Sequence, residues 1–204
     1  MASLRLQGVQ VLQLAPIELE IAAGSLVMLS GASGAGKSLL LRALADLDPH
    51  SGEVYLGTEP RSRMPASSWR RRVALLPAES SWWAETVGDH FPQNCHELTP
   101  WFERLGWSLT VLQWAVARLS TGERQRLALL RALALQPEAL LLDEPTAHLD
   151  AANGSQVEAL IADYRQRHQT AVLWVSHDAK QRHRLGDQSF CISQGQLIPE
   201  FIHR

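Results

Sequence analysis

Gly31-Ala32-Ser33-Gly34-Ala35-Gly36-Lys37-Ser38 fits the pattern G-x-x-x-x-G-K-[ST]. Before it runs Leu26-Val27-Met28-Leu29, short and bounded like a buried parallel strand. After it come Leu39-Leu40-Leu41, Ala43, Ala45 and Leu47, spaced as a helix. Strand, loop and helix in that order are the context in which the pattern holds phosphate. Glycines let backbone N–H groups curl around phosphate oxygens without Cβ clashes, and the positive start of the helix favours the bound charge. Lys37 is then placed to reach the outer phosphates of a nucleotide, and the Ser38 hydroxyl to ligate Mg²⁺. The bland alternative, a glycine-rich turn with a solvated lysine, does not explain the flanking pattern.

The chain has 204 residues, 46% of them hydrophobic, enough for a sizeable core in one domain carrying at most a small insert. A net charge of -2 gives no global electrostatic case for nucleic acid or an anionic membrane surface. Cys95 and Cys191 lie far apart without metal-ligand spacing, so reduced thiols in a cytosolic protein are expected. No run of eighteen apolar residues and no N-terminal apolar segment of the signal type occurs, so neither membrane crossing nor secretion is expected.

Leu4 and Leu6, then Ile17, Leu19 and Ile21, alternate with polar neighbours and predict two half-exposed strands joined by a turn near Ala15-Pro16. Pro49-His50-Ser51-Gly52 predicts a turn and Glu53-Val54-Tyr55-Leu56 a strand. Trp69-Arg70-Arg71-Arg72 reads as a solvated lead-in to the apolar strand Val73-Ala74-Leu75-Leu76. From Ala78 to about Arg118 the spacing turns helical and tryptophan-rich, which predicts an inserted helical subdomain. Thr99 is its expected N-cap and Pro100 its first helical residue. Most of these tryptophans are expected in a core, with room for an exposed docking patch.

Leu119-Ser120-Thr121-Gly122-Glu123 leads into a helix that ends before Pro137, and Ala139-Leu140-Leu141-Leu142 is a strand ending in Asp143-Glu144. Such a strand is buried on both faces, so its tip is where a parallel sheet presents chemistry. Asp143 is suited to share a Mg²⁺ with Ser38, and Glu144 to polarise a water in line with a γ-phosphate. Asp150 can cap the next helix, which carries Val157, Leu160, Ile161 and Tyr164 on one side. The strand from Thr170 to Val175 ends at Ser176-His177-Asp178, which brings His177 to the same edge as Glu144. Phe190-Cys191-Ile192 and Gln196-Leu197-Ile198 predict a closing hairpin.

Gly31 to Ser38, Leu119 to Glu123, Leu140 to Glu144, Ala147-His148-Leu149-Asp150 and His177, in that order over almost the entire chain, resemble an ABC-type ATPase. The resemblance implies an α/β fold of the P-loop NTPase class: a mixed β-sheet core, an N-terminal antiparallel β subdomain and an inserted helical subdomain. Residues 1–77 and 119–204 would form the nucleotide-binding core of a single domain, and 78–118 the insert. It further implies ATP and Mg²⁺ as cofactors, and a head-to-tail dimer with two ATP molecules between the subunits. Gly31, Ser33, Gly34, Ala35, Gly36, Lys37, Ser38 and Leu39 would then cradle the nucleotide of one subunit. Ser120, Thr121, Gly122 and Glu123 would face the γ-phosphate of the other, and Asp150 would pass contacts across the interface. Glu144 would be the general base and His177 the residue holding γ-phosphate and water. The implied partners are a second ATPase subunit, most simply an identical one, and an integral membrane permease. The implied location is peripheral, at the cytoplasmic face of the plasma membrane, with no nucleic acid partner.

Several positions depart from the family pattern. Ala78 stands where a glutamine is usual, with Glu79 beside it as a candidate Mg²⁺ or water ligand. No aromatic precedes Tyr55, so Leu12 or Gln13 occupies the place of the usual adenine-stacking ring and base selectivity is expected to be loose. Thr121, Glu123 and Leu39 replace Gly, Gln and Thr. Among family members, the chain most resembles the small ATPase subunits of iron exporters. Competing readings are a soluble ABC ATPase acting on DNA or ribosomes, and a regulator that binds ATP without hydrolysing it.

Overall fold

Alternating segments become strands with one wet face. The structure is a computed structural model describing residues 2–92 and 95–200, with backbone alone at Cys95 and His96. Strands β1 (Leu4–Gln10) and β2 (Ile17–Ile21) pair antiparallel, burying Leu4, Leu6, Ile17, Leu19 and Ile21. The glycine-rich loop lies between β3 (Leu26–Gly31) and helix α1 (Lys37–Leu44), as its flanks predict. Strand β4 (Ser51–Leu56) pairs with β1 and with the short β5 (Glu59–Pro60), giving a four-stranded antiparallel sheet ordered β2-β1-β4-β5. The turn expected at 49–52 is shorter, because β4 already begins at Ser51. Gly52 is required there: its φ is +76°, and a Cβ would lie 2.2 Å from the Gly8 carbonyl oxygen where the β1–β4 register shifts.

The arginine run does lead into strand β6 (Val73–Leu76), with Arg70 and Arg71 exposed, but as the end of a helix, α2 (Ala66–Arg72), that the sequence did not show. Trp69 is fully buried and donates its indole N–H to the Leu44 carbonyl at 2.8 Å, while Arg70 pairs with Asp46 and Arg72 with Glu138 and Glu59. Local acids therefore take up the charge of Arg70 and Arg72.

The expected helical insert holds little α-helix. Among the described residues between β6 and residue 119 the one α-helix is α3 (Thr99–Arg104), accompanied by short 3-10 turns. Its cap is Leu98, with Thr99 already helical and Pro100 in the first turn, one residue earlier than predicted. Trp101 and Trp107 are buried and Trp82 and Trp114 pack at the margin of the core, whereas Trp83 is 71% exposed.

The remaining elements are α4 (Thr121–Leu133), β7 (Ala139–Asp143), α5 (Ala151–His168), β8 (Ala171–Val175), α6 (Ala179–Leu185), β9 (Gln188–Ser193) and β10 (Gln196–Glu200). Six strands form the second sheet, ordered β10-β9-β3-β8-β7-β6, parallel except for the antiparallel β9–β10 hairpin. Alternate residues of its continuous apolar strands serve two cores. Met28, Leu140, Leu142, Val172 and Trp174 face the residues of α3, α4 and α5; Val27, Leu29, Leu141, Leu173 and Val175 face α1 and the antiparallel sheet. Burial on both faces is why these strands read as unbroken apolar runs. Among the described residues no helix is long and apolar enough to cross a membrane.

Candidate active site

The register aligns the carboxyl ends of three strands: Leu29 opposes Val175, and Val175 opposes Asp143. The glycine loop, Asp143-Glu144 and Ser176-His177 consequently share one edge of the sheet, where open α/β sheets carry their ligands. Gly31 has φ +144° and approaches β9 so closely that a Cβ would sit 2.7 Å from the Ile192 carbonyl oxygen. Gly36, at φ +98°, caps α1. Lys37 is 7% exposed, and its Nζ donates to the Gly31 and Ala32 carbonyls at 2.8 and 2.9 Å. The ammonium is thus held inside the loop, ready to exchange these acceptors for phosphate oxygens.

Ser38 lies beside Asp143, close enough for its hydroxyl to favour the ionised carboxylate, so the two residues predicted to share a metal are neighbours. Burial pushes the Asp143 carboxyl above the ordinary carboxylate range, and Glu144 adds to that; the Ser38 hydroxyl and the charges of Lys37 and His177 oppose it. Glu144 sits in the left-handed region at φ +49°, its N–H donating to the Val175 carbonyl at 3.1 Å. A non-glycine residue held there costs about 1–3 kcal/mol, and such strain gathers at functional sites. Glu144 Oε1 lies 2.9 Å from His177 Nε2. The two strand tips therefore meet through the pair predicted to act on water.

A cleft of about 1000 Å³ flanks the glycine loop, lined by Ser33, Gly34, Ala35, Gly36 and Leu39 on one side and by Leu12, Gln13, Cys191 and Gln194 on the other. No aromatic lines it, in keeping with the sequence; Leu12 is 76% exposed, with φ +48°. Cys191 is a free thiol.

The 120–123 turn does not line that cleft. Ser120 caps α4 in a reciprocal box: Glu123 N–H donates to Ser120 Oγ at 3.3 Å, while Ser120 N–H and hydroxyl both donate to Glu123 Oε2 at 2.8 Å. The bond from the Ser120 backbone, against partial burial, leads the effects that hold the Glu123 carboxyl below its usual range. Glu123 thus has a structural reason to replace the commoner glutamine. Thr121 and Gly122 occupy the first turn of α4, where backbone N–H groups have no intrahelical acceptor. A Cβ on Gly122 would lie 3.0 Å from Leu149 Cδ2, so the turn packs on the residues before Asp150. Asp150 caps α5, accepting from Asn153 N–H at 2.9 Å. Glu79 is exposed in the bend after β6 and forms no ion pair among the described residues; the structure does not join it to Ser38 and Asp143.

Sequence reading missed two buried amides. Gln125, on α4, donates to the Pro77 carbonyl at 2.9 Å and accepts from Ser80 Oγ at 2.7 Å, strapping the loop around Ala78 to the helix that starts at Ser120. Gln181, on α6, joins the loops carrying Glu144 and His177. A polar residue on the buried side of a helix was the available signal.

This arrangement of phosphate loop, paired acids and strand-tip histidine is that of a nucleotide hydrolase, and the chain belongs to the ABC transporter family, whose model matches residues 14–147. Within that family it is an ATP-binding subunit that hydrolyses ATP. It is 38% identical over 187 residues to the aliphatic sulfonates import ATP-binding protein SsuB 3 of Nocardia farcinica (strain IFM 10152), spanning 91% of this chain and 72% of that one. It is 34% identical over 172 residues to the "Probable iron export ATP-binding protein FetA" of Escherichia coli (strain K12), spanning 79% of this chain and 76% of that one. Among solved structures, a dimeric ATP-binding cassette in a post-hydrolysis state bound to ADP and Pi matches with a TM-score of 0.82 at 21% identity, each chain wholly covered. An ATP-bound exporter of the bacterial Atm1 family also matches with a TM-score of 0.82, at 22% identity over 96% of this chain and 38% of the exporter.

Proposed function

We propose that this chain is the Mg²⁺-dependent ATPase of a transporter whose membrane permease is a separate chain. The observation carrying the reading is the meeting of Ser38 with Asp143 and of Glu144 with His177 at one sheet edge. Residues 31–39 cradle the phosphates, and Lys37 neutralises the outer ones. Ser38 and Asp143 fit a bound Mg²⁺. Mg²⁺, when bound, screens the charge on the transferring phosphoryl group. Glu144 takes the proton of the attacking water, and His177 holds the γ-phosphate and water in line.

The same chain does not bring its 120–123 turn to the cleft, which supports a head-to-tail dimer. Ser120, Thr121, Gly122 and Glu123 of one subunit meet the γ-phosphate on the other, and Asp150 lies at the shared surface. Residues 78–118 serve as the insert linking the ATP site to the permease. A groove of about 410 Å³ between β6, α4 and this segment suits a short permease helix: exposed Leu47, Trp83 and Leu135 line it beside Arg131. The subunit then works at the cytoplasmic face of the membrane, and its import and export relatives leave the direction of transport to the permease.

Purification of the tagged chain from gently solubilised membranes tests this. A multi-spanning protein at stoichiometric yield is expected, and Trp83→Asp combined with Leu135→Asp should abolish its recovery while ATP binding persists. Recovery of ribosomes or DNA in its place, lost on nuclease treatment, would reject the permease.

Asp143 predicts the pH dependence of Mg²⁺ binding. Protons and Mg²⁺ compete for its carboxylate, and burial raises its proton affinity, so Mg²⁺-dependent nucleotide binding should weaken on acidification at a higher pH than an ordinary aspartate would dictate. The linkage sign follows: without metal the folded state binds the proton more tightly, so Asp143's contribution to stability is greatest at low pH and falls as pH rises through its raised pKa. Titrating Mg²⁺-nucleotide affinity across pH should show this dependence in the native chain and its loss in Asp143→Asn.

A further inference from the structure

Gln181 lies on the first turn of α6 and is 6% exposed. Its Oε1 accepts from Ser176 Oγ at 2.6 Å, and its Nε2 donates to Thr146 Oγ1 at 3.0 Å and to Glu158 Oε1 at 2.8 Å. A carboxylate accepts only, so Glu158 fixes which way the amide faces, and both its amide hydrogens are used. Glu158 is itself buried on α5 and is clamped by Arg184 at 2.6 and 3.0 Å.

Two of these partners sit beside the chemistry. Thr146 belongs to the turn after Glu144, closed by Ala147 N–H donating to the Glu144 carbonyl at 3.1 Å. Ser176 precedes His177; its N–H donates to the Leu29 carbonyl at 3.1 Å, and its own carbonyl accepts from Arg182 at 3.2 Å. Thr146, Ser176 and Gln181 line the same cavity of about 240 Å³ as Glu144 and His177. One buried amide therefore spans the two loops whose tips meet at 2.9 Å.

We propose that Gln181 is a positioning residue for ATP hydrolysis, holding the Thr146 turn and the Ser176 tip at the separation that lets Glu144 and His177 act on one water. This rests on the reading of Glu144 as the base. Glutamine is specific here because the site needs one acceptor and two donors. A carboxylate in its place would face the Glu158 carboxylate and supply no donor.

The test compares steady-state ATP hydrolysis in four variants of the full chain. Gln181→Glu should lower kcat on the order of ten- to a hundredfold, the cost of a misplacement near 1 Å, with KM for ATP unchanged because the phosphate cradle is untouched. Gln181→Glu with Glu158→Gln faces the new carboxylate with an amide and leaves the Thr146 hydroxyl free to donate to it. Part of the loss should therefore be recovered, although Arg184 no longer meets a carboxylate at position 158. Thr146→Val keeps the buried Gln181–Glu158 pair, and with it the fold, and should lower kcat by a smaller factor, again without changing KM. Native kcat in both Gln181→Glu and Thr146→Val, or a transposed pair no better than Gln181→Glu alone, would overturn the proposal. Glu144→Gln is measured in parallel: hydrolysis surviving there removes the base reading itself, whereas its loss alongside native kcat in the Gln181 and Thr146 variants rejects only the positioning role.

Discussion

Glu144→Gln should lower ATP turnover on the order of a thousandfold, within the range attributed to a positioned general base, while nucleotide affinity stays near native. Glutamine keeps the length of the side chain and an acceptor for His177 Nε2, now 2.9 Å from the carboxylate, but cannot take a proton from water. Affinity should survive because residues 31–38, proposed to hold the phosphates, lie on a different strand and loop. The backbone should hold as well, since Glu144 N–H donates to Val175 whatever the side chain. With binding intact and chemistry blocked, the subunits should accumulate as an ATP-bound dimer, visible as a doubling of mass by light scattering in Mg-ATP. Turnover at the native rate would place the base elsewhere, and Glu79 would be the next residue to replace.

The sheet was legible wherever burial was two-sided or regularly alternating. Leu26 to Leu29, Ala139 to Leu142 and Ala171 to Val175 are unbroken apolar runs because each strand serves two cores, and β1 and β2 alternate because one of their faces is wet. Glycine spacing revealed the phosphate loop, since backbone geometry there excludes side chains. Helix α2 was hidden for the opposite reason: Trp69 is its single buried residue, so no helical period exists to be read, and the arginines around it are paired with acids remote in sequence. The segment 78–118 misled because Trp82, Trp83, Trp107 and Trp114 lie in irregular backbone between short turns, so their spacing carries no helical period, while Trp101 and Phe102 sit in α3. The role of Gln181 was not legible from its helical position alone, because its amide is satisfied by residues 23 and 35 positions away, a juxtaposition created by the fold. The candidate groups at the two strand tips could be proposed from the sequence; the bonds that join their loops could not.

Lys37→Met should weaken ATP binding on the order of a hundredfold or more, the opposite signature to Glu144→Gln. Methionine nearly matches the lysine stem in volume and removes only the charge and the donors. In the free loop those donors satisfy the Gly31 and Ala32 carbonyls at 2.8 and 2.9 Å in a site 7% exposed. Without them the Gly31 and Ala32 carbonyls lose the ammonium before any nucleotide arrives, Ala32 keeping its bond from Ala35 N–H at 3.1 Å, and the phosphates then enter a cradle without the Lys37 charge. Each hydrogen bond to a charged group contributes about 1.5–3 kcal/mol, so two lost phosphate contacts account for the fall in affinity even after some relaxation of the loop. Lys37→Arg should not rescue, because a planar guanidinium does not fit the space of an ammonium gripped by two adjacent carbonyls. Equilibrium binding of a fluorescent nucleotide, read beside the thermal transition, separates the two contributions: a large loss of affinity with a small shift in melting locates the effect at the phosphates. An affinity equal to that of the native chain would mean that Lys37 stays bound to its loop when nucleotide is present, and that the backbone amides of residues 33–38 carry the phosphates alone.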